Sequence, residues 1–169
     1  MKFYHSLILL LSLIFPSAYA LTPGEVPVGG VLRDATLQGF GGDVLRLSSL
    51  RGKPLIINVW ASWCGPCKAE MGSLENLHKR YGGKQFNLIG ISTDDDTNAA
   101  FYFLMREGIT FDNYADKNLM MENMLGANTI PVTLLIDANG KVLKKVRGFK
   151  EWDSPETIKM IASVLGVKL

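Results

Sequence analysis

Cysteine and histidine are scarce in this 169-residue chain, which has two of each: Cys64, Cys67, His5 and His78. Without the first twenty residues only His78 is left beside the two cysteines. That set cannot build a structural zinc site of four cysteines, or of two cysteines and two histidines, within one chain. A secreted scaffold held by many disulfides is excluded too, because it needs several bridges. Charge of one sign is also lacking: 18 Lys and Arg against 16 Asp and Glu leave +2. Without the first twenty residues, whose one charged residue is Lys2, the excess is +1. Nucleic-acid proteins carry a strong basic footprint, so no nucleic-acid partner is expected. The longest basic run, Lys144–Lys145, reads as the solvated face of a strand. There are no repeats, no low-complexity tracts and no linker long enough to divide the chain.

Long apolar runs are missing as well. The most apolar stretch, Leu7–Phe15, is nine residues long and ends at Pro16, whereas a bilayer-spanning helix takes about 20. It follows Met1-Lys2 and precedes Ala18-Tyr19-Ala20, which places small residues where a leader is cut. Residues 1–20 are therefore expected to be a cleaved secretory signal peptide rather than a permanent anchor, with no cysteine near the cut to take a lipid. Residues 21–169 are expected to form one domain working outside the cytoplasm, where disulfides persist.

About half of the residues are apolar, enough for a core. After an irregular Pro- and Gly-containing lead-in (21–30), two alternating segments flank Gln38–Gly42 and predict a β-hairpin. Pro54–Ala61 is nearly all apolar and predicts a strand buried on both faces. Met71, Leu74, Leu77 and Tyr81 recur at helical spacing and predict a helix over 65–81, stopped at Gly82-Gly83. Phe86–Ser92 reads as a second buried strand. Thr93–Asp96 reads as the start of a helix reaching Glu107, its acidic residues suited to the positive end of the dipole. A short extended piece (110–115), a short helix (117–125) and a strand (132–137) follow. Asn139-Gly140 signals a hairpin turn to a returning strand (141–147). Asp153 or Ser154 then caps a last helix that carries Pro155 in its first turn. The order predicts an α/β fold, a mostly parallel sheet covered by helices, with antiparallel edge strands from the terminal hairpin.

Trp63-Cys64-Gly65-Pro66-Cys67 lies where the first buried strand meets its helix. A cysteine at a helix N-terminus sees unpaired N–H groups and a positive dipole, which lower its pKa and favour the thiolate. Cys64 holds that outermost position and is expected to attack; Cys67, one turn deeper, can resolve the mixed disulfide. Gly65 permits a tight entry, and Pro66 is tolerated in a first turn that needs no N–H from it. An inert structural bridge gains little here, roughly 2 kcal/mol for so short a loop against about 3 for fifteen residues. Haem attachment is excluded by Lys68, since that motif puts histidine after the second cysteine.

W-C-G-P-C is the active-site motif of the thioredoxin superfamily. Together with N-V-W-A-S-W-C-G-P-C-K-A-E-M, the preceding hairpin, the leader and T-I-P-V-T-L-L-I-D-A-N-G-K-V, it makes the chain resemble the periplasmic TlpA/ResA-like branch from about Val31 to Leu165. The resemblance implies a thioredoxin-like fold: a central mixed sheet flanked by helices, with an added N-terminal β-hairpin. It implies a cis-proline at Pro131, with the Ile130 backbone offered to a bound substrate chain. Composition alone would make that bond trans, since about 5–6% of X-Pro bonds are cis. Thioredoxin itself has a buried aspartate where this chain has Asn58; the TlpA/ResA-like proteins share the asparagine and place a glutamate at the position of Glu70. Glu70 is expected near the pair, half-buried, with a raised pKa suited to relaying a proton. Trp63 is expected to be a partly exposed contact for incoming protein, and Trp60 to be core.

Other candidates fade. His78 is eleven residues beyond Cys67, roughly 16 Å along a helix, too far to serve as its base, and is expected on a solvated helix face. Asp94-Asp95-Asp96 lacks the spacing, glycine and distal glutamate of a calcium loop. Met105, Met120, Met121 and Met124 read as core packing. The expected function is an exported thiol–disulfide oxidoreductase that reduces disulfides of protein clients without a cofactor or metal, as a monomer. It would be recharged by a membrane-bound electron donor; the resemblance implies c-type cytochrome assembly as one setting. Two alternatives stand beside it. One is a dithiol oxidant, though Pro66 replaces the histidine of the strong oxidants; the other is a non-catalytic copper-binding or chaperone module, since two thiols suit copper(I). A peroxidase would want Thr and Pro where Ala61 and Ile57 stand.

Overall fold

The computed structural model describes residues 23–169; the predicted signal peptide lies outside them. The hairpin forms from β1 (Thr36–Gly39) and β2 (Val44–Arg46), followed by a 3-10 turn at Leu47–Leu50. Asp34 fastens its base. The Ser48 backbone N–H and the Arg46 guanidinium both donate to this carboxylate and bring its pKa down to about 2. The chain continues through β3 (Leu55–Trp60), α1 (Gly65–Tyr81), β4 (Asn87–Ser92), α2 (Thr97–Glu107), β5 (Asp112–Ala115) and α3 (Met120–Leu125). It closes with β6 (Val132–Ile136), β7 (Val142–Arg147) and α4 (Pro155–Leu165).

The seven strands form a mixed sheet in the order β2-β1-β5-β4-β3-β6-β7. The expectation of a mostly parallel sheet is corrected here: only β3–β4 and β4–β5 pair in parallel, and the other four pairings are antiparallel. An apolar run shows that a strand has neighbours on both sides, not which way they run. After β5 the chain passes through α3 and returns as β6 on the far side of β3, running against it.

β3 is the axis of this arrangement, with all six residues buried. Leu55, Ile57 and Val59 pack with α3 and the N-terminal segment, whereas Ile56 and Trp60 pack with α1, α2 and α4. Each such side chain is worth roughly 1.5–3 kcal/mol in burial. Asn58, between Ile56 and Trp60, is the polar exception. Trp60 donates to Asn113 Oδ1 at 2.9 Å across Gly90. A Cβ on Gly90 would lie 1.9 Å from that oxygen, so the close approach requires glycine.

Helix ends follow the expected chemistry: Cys64, Asp96 and Ser154 cap α1, α2 and α4, each side chain accepting a backbone N–H. Three expectations about side chains are corrected. Lys145 is not solvated: its side chain is 8% exposed and pairs with Glu25, and its Nζ also donates to the Leu125 carbonyl. That cluster crowds Gly126, whose φ of 69° ends α3 and whose added Cβ would lie 2.1 Å from the Glu25 carboxyl carbon. His78 is half-buried, its ring 6.0 Å from that of Phe111. Met121 and Met124 are core, but Met105 and Met120 are exposed. Among the described residues no helix is long and apolar enough to cross a membrane.

Candidate active site

Cys64 and Cys67 form a disulfide with their Cα atoms 5.3 Å apart. Cys64 is the N-cap of α1; Gly65 and Pro66 make its first turn, and the Cys67 N–H points at Cys64 Sγ at 3.3 Å. No acidic residue lies in that first turn to oppose the helix dipole. When the pair is reduced, a thiolate on Cys64 therefore gains both a donor and the positive helix end. Cys67 is fully buried, whereas Cys64 is 6% exposed and lines an open groove.

The Ile130–Pro131 bond is cis, and the Ile130 carbonyl oxygen lies 3.9 Å from Cys64 Sγ. Trp63, Cys64, Gly65, Pro66 and Ile130 line one open groove of about 630 Å³. Trp63 is 68% exposed beside Cys64, whereas Trp60 is wholly buried.

Behind the disulfide stands Glu70, fully buried rather than half-buried as its sequence context suggested. Three parts of the fold meet at its carboxylate: α1 itself, β3 and the segment after β7. Asn58 of β3 donates to Oε1 at 2.7 Å; the Lys150 N–H and the Trp152 indole N–H, from the segment after β7, donate to Oε2 at 3.0 and 3.2 Å. Asn58 also donates to Thr133 Oγ1, its cross-strand partner on β6, at 2.9 Å. Burial raises the Glu70 pKa to about 7, and the three donors only partly offset it. The Asn58 Oδ1 is buried and has no partner among the described residues. Turning that amide over would present this oxygen to Glu70, so the pair can also accommodate a protonated carboxyl.

Sequence reasoning missed three members of this constellation. Trp152 and Thr133 are far from the motif in sequence and carry no local signal. Asp94 was read only as part of a helix start, yet it is buried and turned inward. Its carboxylate accepts from the Ser62 N–H (2.9 Å), the Ser62 hydroxyl (2.6 Å) and the Ser92 hydroxyl (2.8 Å), tying the end of β4 to the loop that presents Trp63 and Cys64. The acidic triplet showed a charge, but not which of its three residues faces in; Asp96 takes the capping role instead.

A redox disulfide at a helix N-terminus, facing a cis-proline loop on a mixed sheet, defines a thiol–disulfide oxidoreductase of thioredoxin-like fold. The chain belongs to the Redoxin family, whose profile matches residues 27–164. It is 32% identical over 123 residues to the thiol-disulfide oxidoreductase ResA of Geobacillus thermodenitrificans, covering 73% of this chain and 71% of that one. ResA of Bacillus subtilis is 27% identical over 135 residues, covering 80% and 73%. Among solved structures, a Chlorobium tepidum protein assigned as the thiol:disulfide interchange protein DsbE superposes with a TM-score of 0.75 at 30% identity, over 83% of this chain and 99% of that one.

Proposed function

We propose that the protein is exported, loses residues 1–20 and reduces disulfides of client proteins in the periplasm. The carrying observation is the division of labour at α1: an outer cysteine at the helix end and a fully buried inner one a turn from Glu70. In the proposed cycle the Cys64 thiolate attacks one sulfur of a client disulfide. A Cys64–client bond forms, and the second client sulfur leaves as a thiolate and takes up a proton. Cys67 then gives its proton to the Glu70 carboxylate, three residues on and on the same helix face. The Cys67 thiolate attacks Cys64 Sγ, the client's first sulfur departs with its electron pair, and the enzyme is left as the disulfide. Two electrons have passed to the client, and a membrane-bound dithiol donor restores them. The client backbone lies along Ile130, and Trp63 covers the exchange. The TlpA/ResA-like resemblance makes apocytochromes c one class of client.

The test is the midpoint potential of the Cys64–Cys67 couple against glutathione at neutral pH, paired with Cys67→Ser as a trap. A potential near that of thioredoxin, about −270 mV, and clients captured on Cys64 support a reductase; a value near about −120 mV makes the protein an oxidant.

A further inference from the structure

The groove beside Cys64 has a property that disulfide exchange by itself does not require: its charged lining is of one sign. Asp95 and Glu122 supply that charge, set among the apolar side chains of Trp63, Leu119 and Ile130. Glu122 is half-buried, and among the described residues no cationic side chain pairs with it. Its one close charged neighbour makes matters worse. Asp116 is buried and accepts the Glu122 backbone N–H at 2.7 Å, which places a second negative charge near the start of the same turn. Burial, with Asp116 adding to it, raises the Glu122 pKa. A half-buried carboxylate near another negative charge and without a counter-charge is one that a cationic group of a ligand would stabilise.

The neighbouring backbone is also set for contact. Leu119 has a φ of 52°, in the left-handed region that favours glycine, and its side chain is 40% exposed on the groove wall. An apolar side chain therefore stands in view of solvent in the groove that Glu122 and Asp95 also line. A groove with a nucleophile, an exposed tryptophan, an exposed leucine and two acidic side chains is complementary to a segment that is both apolar and cationic.

We propose that the groove selects clients carrying a lysine or arginine within two residues of the reactive cysteine, the cation meeting Glu122 and Asp95 while apolar neighbours lie on Leu119 and Trp63. This inference rests on the client-reduction reading above and names the chemistry of the client segment. The recognition is electrostatic, so it acts on encounter and docking and is weakened by salt.

The experiment uses the reduced full-length protein and short peptides whose single cysteine is a 2-pyridyl disulfide. Attack by Cys64 on the peptide sulfur forms the Cys64–peptide bond, breaks the bond to the pyridyl sulfur and releases uncharged pyridine-2-thione, read by absorbance. One lysine is moved stepwise from two residues before the cysteine to two after it, and each peptide is compared with its glutamine counterpart. At the best position the lysine peptide is expected to react about three- to tenfold faster, and a glutamate peptide slower than the glutamine one. The lysine-to-glutamine ratio should fall toward one in Asp95→Asn/Glu122→Gln and in high salt, and should invert in Glu122→Lys. The readout is a ratio of two peptides on one enzyme, so a partly unfolded variant cannot imitate it. Equal rates at every lysine position, or a preference that survives the double substitution, overturn the inference while leaving disulfide exchange intact. Failure to turn over any of the peptides or 2-hydroxyethyl disulfide would instead remove the exchange reading itself.

Discussion

Two buried glutamates five residues apart on α1 meet opposite electrostatic fates. Glu70 is fully buried and Glu75 is 4% exposed. Burial opposes ionisation at both. At Glu75 it is outweighed by the Thr110 hydroxyl and N–H, at 2.6 and 2.8 Å, and by Lys79 one turn on, so that pKa is lowered. At Glu70 every donor is neutral, among the described residues no cation pairs with it, and the pKa rises to about 7. The same residue type on one helix is therefore held as a structural anion at one site and poised to exchange a proton at the other. Strong acceptance from Thr110, with Lys79 adding to it, makes the difference, and the carboxyl with the raised pKa is the one a turn from Cys67.

Four substitutions sharpen or break that contrast. The largest effect is expected from Glu70→Gln, which removes the proton acceptor of the proposed resolving step. Release of client from Cys64 at pH 8 should slow by about 10²-fold, within the usual range for general base catalysis. Stability should move the other way. A carboxyl whose pKa is raised on folding, from 4.5 to about 7, costs nothing below the lower value. The cost grows as pH rises between the two and is complete above the upper one. Urea titrations should then show Glu70→Gln more stable than the parent by about 3 kcal/mol at pH 8, with the gain gone below pH 4.5. Equal stability of the two at pH 8 would mean that Glu70 is not poised.

Next in size is Trp152→Phe, which keeps an aromatic side chain but removes one N–H from Glu70. The Glu70 pKa should rise further, and the pH midpoint of the resolving rate should move up by about one unit in a stopped-flow profile. An unmoved midpoint would detach Glu70 from that step. Glu75→Gln should cost about 1–2 kcal/mol at pH 7 by chemical denaturation, since it loses the attraction to Lys79 and weakens acceptance from Thr110, and should leave the midpoint potential alone. Smallest is Lys79→Met, worth about 0.5 kcal/mol and fading with salt, as for an (i, i+4) pair whose cation is exposed.

Much of this could be read from residues close together in sequence. α1 begins and ends where Cys64, Pro66 and the Gly82 pair put it, because capping and proline act over one turn. β3, β4 and β6 are legible because runs such as Leu-Ile-Ile-Asn-Val-Trp suit strands buried on both sides. Strand direction was not, and neither was the fate of single polar side chains. Lys145 looked solvated and is locked to Glu25, some 120 positions away; Asp94 looked like part of a cap and braces the cysteine loop. Met105 and Met120 share a residue type with Met121 and Met124 but not a side of their helices.

What the sequence determined by itself is the chemistry on offer: two cysteines at a helix N-terminus, a proline ahead of a later strand, a glutamate one turn on. Spacing along a helix or strand sets those relations, and they hold in any tertiary context. What only the tertiary structure decided is the charge each group carries and the neighbour it meets. A pKa depends on dielectric and on partners from other elements, and these arrive only when β3, β6, α1 and the segment after β7 close around Glu70.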